Sequence, residues 1–208
     1  MTPSLAMSEP FGSFTKARLE AFSDGVIAVI ITIMVLELKA PESAEPVALF
    51  GLWPNLAIYL VSFVFVAIYW INHHGLLSGV ERTTSAMIWA NNCLLFFLSL
   101  IPFATAYVGN TMFAPLPTAF YAGLQLACGA AFFLLMTTIV IERSDDFAFV
   151  AETRAHRRKN IFAIAAYSLA TLVAAFSPFA AIAILAAIAL SYVTPALLAH
   201  PRRRRRRN

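Results

Sequence analysis

Hydrophobic positions in this chain run in long unbroken stretches between short polar breaks, without the strict alternation of a half-buried strand. A bilayer core about 30 Å thick takes roughly 20 mostly apolar residues per helical crossing. Six stretches suit that role: about Lys16–Leu38, Val47–Leu77, Ser85–Val108, Pro117–Glu142, Asn160–Phe176 and Phe179–Leu198. Lipid offers backbone groups no hydrogen bonds, so spanning elements are helices or closed barrels. Runs far longer than a barrel strand predict an all-α membrane protein with six transmembrane helices. Lys39, Ala40 and Pro41 close the first helix. Ser177–Pro178 separates the last two, as a tight helical hairpin or as the kink of one long helix.

The first helix, RLEAFSDGVIAVIITIMVLELK, contains the least expected residue of the chain, Asp24, about two turns inside an apolar segment. An ionisable group at that depth is costly and faces protein or water. Turned at about 100° per residue, Gly25, Val29, Thr32, Ile33 and Leu36 form one stripe, with Asp24 about 120° from its centre. The stripe and the acid therefore cannot both face one central axis. If the stripe does, Ser23 and Asp24 turn toward neighbouring helices and need partners there. Arg18 is off the face of Asp24 and outside the i,i+3 and i,i+4 spacings, so the acid's partner belongs to another helix or another subunit. On periodicity alone, the stripe suits a lipid-facing or core-facing surface better than a pore.

Partners exist at matching depth. The second helix ends in YWINHH, which puts Trp70, His73 and His74 near one end, and the third begins from that side with Asn91 and Asn92. A shared hydrogen-bonded network with Asp24 is the economical expectation. A metal site is not expected, because His73 and His74 diverge by about 100° and zinc needs i,i+3 or i,i+4 ligands plus a third.

Composition agrees with a lipid solvent: 60% of the 208 residues are hydrophobic and 12% charged, with a mean hydropathy of +0.76. Charge sets the orientation. Of 15 Lys and Arg residues, all but Lys39 fall at the termini or in alternate loops, including Arg82, Arg143, Arg154, Arg157, Arg158 and Lys159. Positive loops stay in the cytoplasm, so both termini are expected there, which requires an even number of crossings. Residues 1–15 then form a flexible cytoplasmic leader, containing Pro3–Ser13, and residues 16–199 the transmembrane domain. Residues 200–208 form a basic tail, in which Arg202 to Arg207 read as an attraction to anionic lipid, not as a nucleic-acid contact. A cleaved signal peptide is disfavoured by Glu20 and Asp24. Cys93 and Cys128 lie inside apolar runs and read as small hydrophobes.

The pattern R-x-x-x-F-S-D at Arg18, Phe22, Ser23 and Asp24, with Thr32 and the acidic exit at Glu37, resembles the first helix of the transmembrane protein 175 family of lysosomal and bacterial potassium channels. Trp70-x-x-His73-His74 and Asn91…Pro102-Phe103 extend the resemblance; the last three helices match in hydropathy and length alone. The resemblance implies a homotetramer of six-helix channel subunits, with the first helix of each lining a central cation pathway. It places an apolar ring at Val29, further pore-facing positions at Ile33 and Leu36, and a threonine layer at Thr32. Val29 departs from a commoner larger Ile or Leu, and Gly25 from a frequent alanine.

Such a ring gates by dewetting, since an ion cannot shed its water without replacement ligands. Glu37, Glu42 and Glu45, repeated around the outer mouth, would concentrate cations there. No TVGYG-like filter and no arginine-rich voltage sensor is present in the sequence. Potassium is expected as the permeant ion, with no cofactor, and its preference over sodium follows from the resemblance alone. The rivals are a secondary cation transporter coupled through Asp24, against which the missing internal repeat counts, and a membrane-embedded enzyme using Asp24 and a histidine, for which no nucleophile motif exists.

Overall fold

The computed structural model describes residues 15–198; the leader and the basic tail anticipated from the sequence lie outside the described residues. Eight helices and no strand occur among the described residues: α1 Lys16–Leu36, α2 Pro46–Gly51, α3 Trp53–Ser78, α4 Ser85–Ser99, α5 Ile101–Asn110, α6 Pro115–Glu142, α7 Phe147–Ala174 and α8 Pro178–Leu198. Among the described residues, four spans are long and apolar enough to cross a membrane: α1, α3, the α4–α5 pair taken as Ser85–Asn110, and α6. The chain is a multi-pass membrane protein by that measure. Pro178–Thr194 is a shorter apolar helical segment.

Local chemistry sets the helix ends. Thr15 caps α1, its side chain accepting from the Arg18 N–H at 3.4 Å, and Thr84 caps α4 through the Met87 N–H at 3.3 Å. Pro46, Pro54 and Pro115 stand in first turns, where a missing N–H costs little. The expected second helix is divided at Leu52, leaving α2 as a short helix of its own. The expected third helix is interrupted at Leu100, because Pro102 has no N–H to donate to Leu98 and the ladder restarts as α5.

The fifth helix differs most from its expected bounds, beginning at Phe147 instead of Asn160. Asp146 caps it, accepting from the Phe149 N–H at 3.0 Å, and this lets the polar segment with Arg154, Arg157 and Arg158 continue as helix outside the apolar stretch. The hairpin reading of Ser177–Pro178 holds: α7 and α8 end and begin there and pack side by side. Half of their buried positions are alanines, Ala163, Ala170, Ala174, Ala181 and Ala189, which lets the two backbones approach closely.

α6 lies at the centre, packed by α4, α5, α7 and α8, while α1 leans on α3, α4 and α5 at the edge. A hydroxyl cluster pins the middle of the core, with Ser62 Oγ 2.7 Å from Thr105 Oγ1 and 2.8 Å from Tyr121 Oη, and Gln125 Nε2 donating to Tyr121 at 3.1 Å. Polar groups buried this way hold helices together because hydrocarbon offers no alternative partner. Gly109 lets α5 cross α3 closely, since a Cβ there would stand 2.9 Å from Asn55 Cα.

The turn after α5 places Met112 and Phe113 at φ 53° and 58°, a left-handed conformation that costs side chains about 1–2 kcal/mol each. Phe113 is buried, its ring 5.6 Å from Trp53 and 5.4 Å from Phe179, centroid to centroid. Burying a phenylalanine contributes about 1.5–3 kcal/mol, which offsets part of the cost of the turn.

Candidate pore helix and its polar anchor

α1 hides one face and shows another. Leu19, Ser23, Ile27, Ile30 and Met34, in steps of three and four, are buried against the rest of the subunit. On the opposite face Val29 is 54% exposed, Ile33 42% and Leu36 77%, with Thr32 and Gly25 also exposed. The subunit thus leaves uncovered the stripe that the helical wheel separated from Asp24.

The buried face carries the anchor. Ser23 Oγ donates to the Leu19 carbonyl at 2.8 Å and meets Asn91, whose Nδ2 donates to Ser23 Oγ at 3.0 Å. Asn91 Oδ1 stands 2.7 Å from His73 Nε2. With the amide's donor turned to Ser23, its oxygen accepts from His73, which puts the proton of a neutral imidazole on Nε2. Ser23, His73 and Asn91 are at most 1% exposed, so three helices, α1, α3 and α4, share one enclosed chain of hydrogen bonds.

Asp24 belongs to a second, separate contact. Its Oδ1 accepts from the Trp70 indole N–H at 2.9 Å, at the open edge between α1 and α3. The single network expected from the sequence is therefore two: an enclosed one and an exposed one. His74 is exposed and Asn92 half-buried, and neither takes part in the hydrogen bonds of Ser23, His73 and Asn91. Adjacent helical positions diverge by about 100°, so only one of each pair can face the anchor. Arg18 is exposed beside the cap of α1, and Phe22 is 53% exposed one turn later. Lys16 donates to the Ser78 carbonyl at 2.8 Å, which ties the start of α1 to the end of α3.

Thr32 has a chemistry the wheel could not reveal. Its hydroxyl donates to the Val29 carbonyl at 2.8 Å. The proton is thereby committed to the backbone, and the oxygen lone pairs remain for a cation. The buried polar cluster of Ser62, Thr105, Tyr121 and Gln125 lies outside the residues the sequence singles out; its signal is polar residues recurring inside otherwise apolar stretches.

A family model described as endosomal/lysosomal potassium channel TMEM175 matches residues 18–102, the stretch that holds both contacts. A Chryseobacterium protein named as a potassium channel is 40% identical over 181 residues, covering 87% of this chain and 94% of that protein. The chain belongs to the TMEM175 family. A crystal structure of a lysosomal potassium-selective channel TMEM175 homolog from Chamaesiphon minutus superposes on this TMEM175-family chain with a TM-score of 0.78. It does so at 30% identity, over 87% of this chain and 97% of that one. The mouse endosomal/lysosomal proton channel TMEM175 is 28% identical over 190 residues, a stretch covering 80% of this chain but 38% of the mouse protein.

Proposed function

We propose that the protein is one subunit of a homotetrameric, potassium-permeable channel, with α1 of each subunit lining a central passive pathway. The observation that carries the reading is the division of α1. The helix spends its polar anchor and its bulkiest core residues inside the subunit, leaving Val29, Thr32, Ile33 and Leu36 for whatever lies outside it. Four such faces around an axis make an aliphatic constriction, which closes by dewetting and opens when the helices splay. Thr32 oxygens, with their protons held by Val29 carbonyls, are suited to replace part of an ion's water. Valine and isoleucine supply no ligand field, so the preference for potassium over sodium is modest.

The same reading has six crossings, in which α7 and α8 join the four long spans. From Asn160 to Ala174, α7 offers an apolar stretch of about 22 Å, shorter than the ~30 Å core. Its polar first half lengthens the helix into the cytoplasmic interface, where Arg154, Arg157 and Arg158 belong. Both termini are then cytoplasmic, in a bacterial inner membrane. A secondary transporter with Asp24 as the coupling acid is the rival, but Asp24 is already engaged by Trp70.

Potassium flux into liposomes containing the purified protein, with sodium as the control, tests the proposal. Flux that follows the gradient without saturating is expected. Saturable, strictly coupled exchange would instead favour a transporter, and a monomeric preparation that still conducts would remove the central pore.

A further inference from the structure

The outward face of α7 changes character along its length. Arg154, Arg157 and Arg158 fall at i, i+3 and i+4, which sets three guanidinium groups on one side of the helix, and all three are exposed. Further along the same side, in steps of three and four, stand Ile161, Ala165, Leu169 and Leu172, exposed as well. The opposite side, with Asn160, Ala163, Tyr167, Ala170 and Ala174, is buried. One uncovered stripe is therefore basic at its start and apolar for the rest of its length.

The arginines on this stripe are not spent inside the subunit. The ion pairs among the described residues are Lys16–Glu20 and Arg143–Asp146, and neither involves them. Lys159 shows the contrast: it turns to α8, where its Nζ donates to the Ser191 carbonyl at 3.0 Å and stands 3.8 Å from the Tyr192 ring centroid.

Arg157 also fixes the depth of the basic end. Its guanidinium lies over the Phe133 ring of α6, 5.5 Å from the centroid. Phe133 stands about 27 Å along α6 from its start at Pro115. With a hydrocarbon core ~30 Å thick, that is the level at which acyl chains give way to headgroups. A guanidinium matches a phosphate's oxygens, and the apolar remainder of the stripe matches an acyl chain.

We propose that this face of α7 is a binding site for an anionic glycerophospholipid, with the phosphate among Arg154, Arg157 and Arg158 and an acyl chain along Ile161 and Ala165. Phosphatidylcholine fits less well, because its own ammonium competes with the arginines for the phosphate. The site rests on the six-crossing reading, which puts α7 in the bilayer, and on nothing about the pore.

Quenching of tryptophan fluorescence by brominated lipid tests it. The full chain with Ile161→Trp is reconstituted in mixed phosphatidylglycerol and phosphatidylcholine vesicles, with bromine on the acyl chains of one lipid or the other. Quenching beyond that of the parent chain, whose Trp89 is 74% exposed on α4, reads the α7 face. Phosphatidylglycerol should be preferred about fivefold or more. Arg154→Gln, Arg157→Gln and Arg158→Gln together should bring the ratio close to one, at exposed positions where glutamine suits a helix. Lysine at the same three positions retains the charge and should keep most of the preference. Equal added quenching by both lipids would overturn the proposal and leave α7 in the bilayer. No added quenching by either would take α7 out of the bilayer and overturn the six-crossing reading with it. A preference that survives the triple glutamine variant would also overturn the site. So would one that excess glycerol 1-phosphate abolishes, by assigning the arginines to a soluble phosphate ester.

Discussion

The Trp70 indole N–H donates to Asp24 Oδ1 at 2.9 Å, which joins α1 to α3 at the rim of the subunit and not in its interior. Trp70 is 46% exposed, so water competes for the bond. Trp70→Phe should lower subunit stability by about 1 kcal/mol or less, since exposed charged contacts are screened. Asp24→Asn should reduce the assembled fraction in size-exclusion chromatography while leaving ion preference unchanged. A fully assembled Asp24→Asn channel with reversed selectivity would contradict an anchoring role for the acid.

The enclosed contact should be more sensitive. Ser23→Ala leaves the Asn91 amide without its acceptor inside the protein, and Asn91→Leu strands His73 Nε2 while Ser23 keeps only its bond to the Leu19 carbonyl. Each change is expected to cost about 1–3 kcal/mol in thermal or denaturant unfolding. His74→Gln, at an exposed position, should shift stability by about 0.5 kcal/mol or less.

Two faces of one helix provide an internal control for the pore. Val29→Asn or Ile33→Asn should raise basal potassium leak in liposomes several-fold and leave the melting temperature nearly unchanged, because a polar ring holds water. Ile30→Ala, one residue from Val29 but 2% exposed, should instead cost about 2–5 kcal/mol of stability. Equal effects on flux from both faces would mean that the exposed stripe does not line the pathway.

Thr32→Val keeps the shape of the side chain and removes the oxygen. Single-channel conductance should fall, with little change in assembly. Thr32→Ser retains the oxygen and should restore most of the current.

Asp146 provides a pH-dependent readout outside the spans. The Phe149 N–H and then the Arg143 guanidinium hold its carboxyl below the usual carboxylate range. A folded-state value lower than the unfolded one makes a stability contribution that is complete above about pH 4, the unfolded value. It disappears as the pH falls through the depressed folded value. Asp146→Asn should therefore lower the melting temperature at neutral pH, where the contribution is complete, and its difference from the parent should vanish as the pH falls through the depressed folded value.

What the sequence determined by itself was set by length and angle. Apolar stretches long enough for a bilayer and the angular separation of Asp24 from Val29, Ile33 and Leu36 follow from local geometry, which the sequence carries completely. The residues of the anchor were legible as a set for the same reason. A helical wheel has no fixed zero, however: it gives the angle between two faces and not the direction of either. Only packing against α3, α4 and α5 turned Leu19, Ser23, Ile27, Ile30 and Met34 inward and left the stripe outside. Packing likewise chose His73 over His74 and Asn91 over Asn92, and gave Asp24 to Trp70. The start of α7 and the outward turn of Arg154, Arg157 and Arg158 depend on contacts between residues distant in the chain, so tertiary structure alone could decide them.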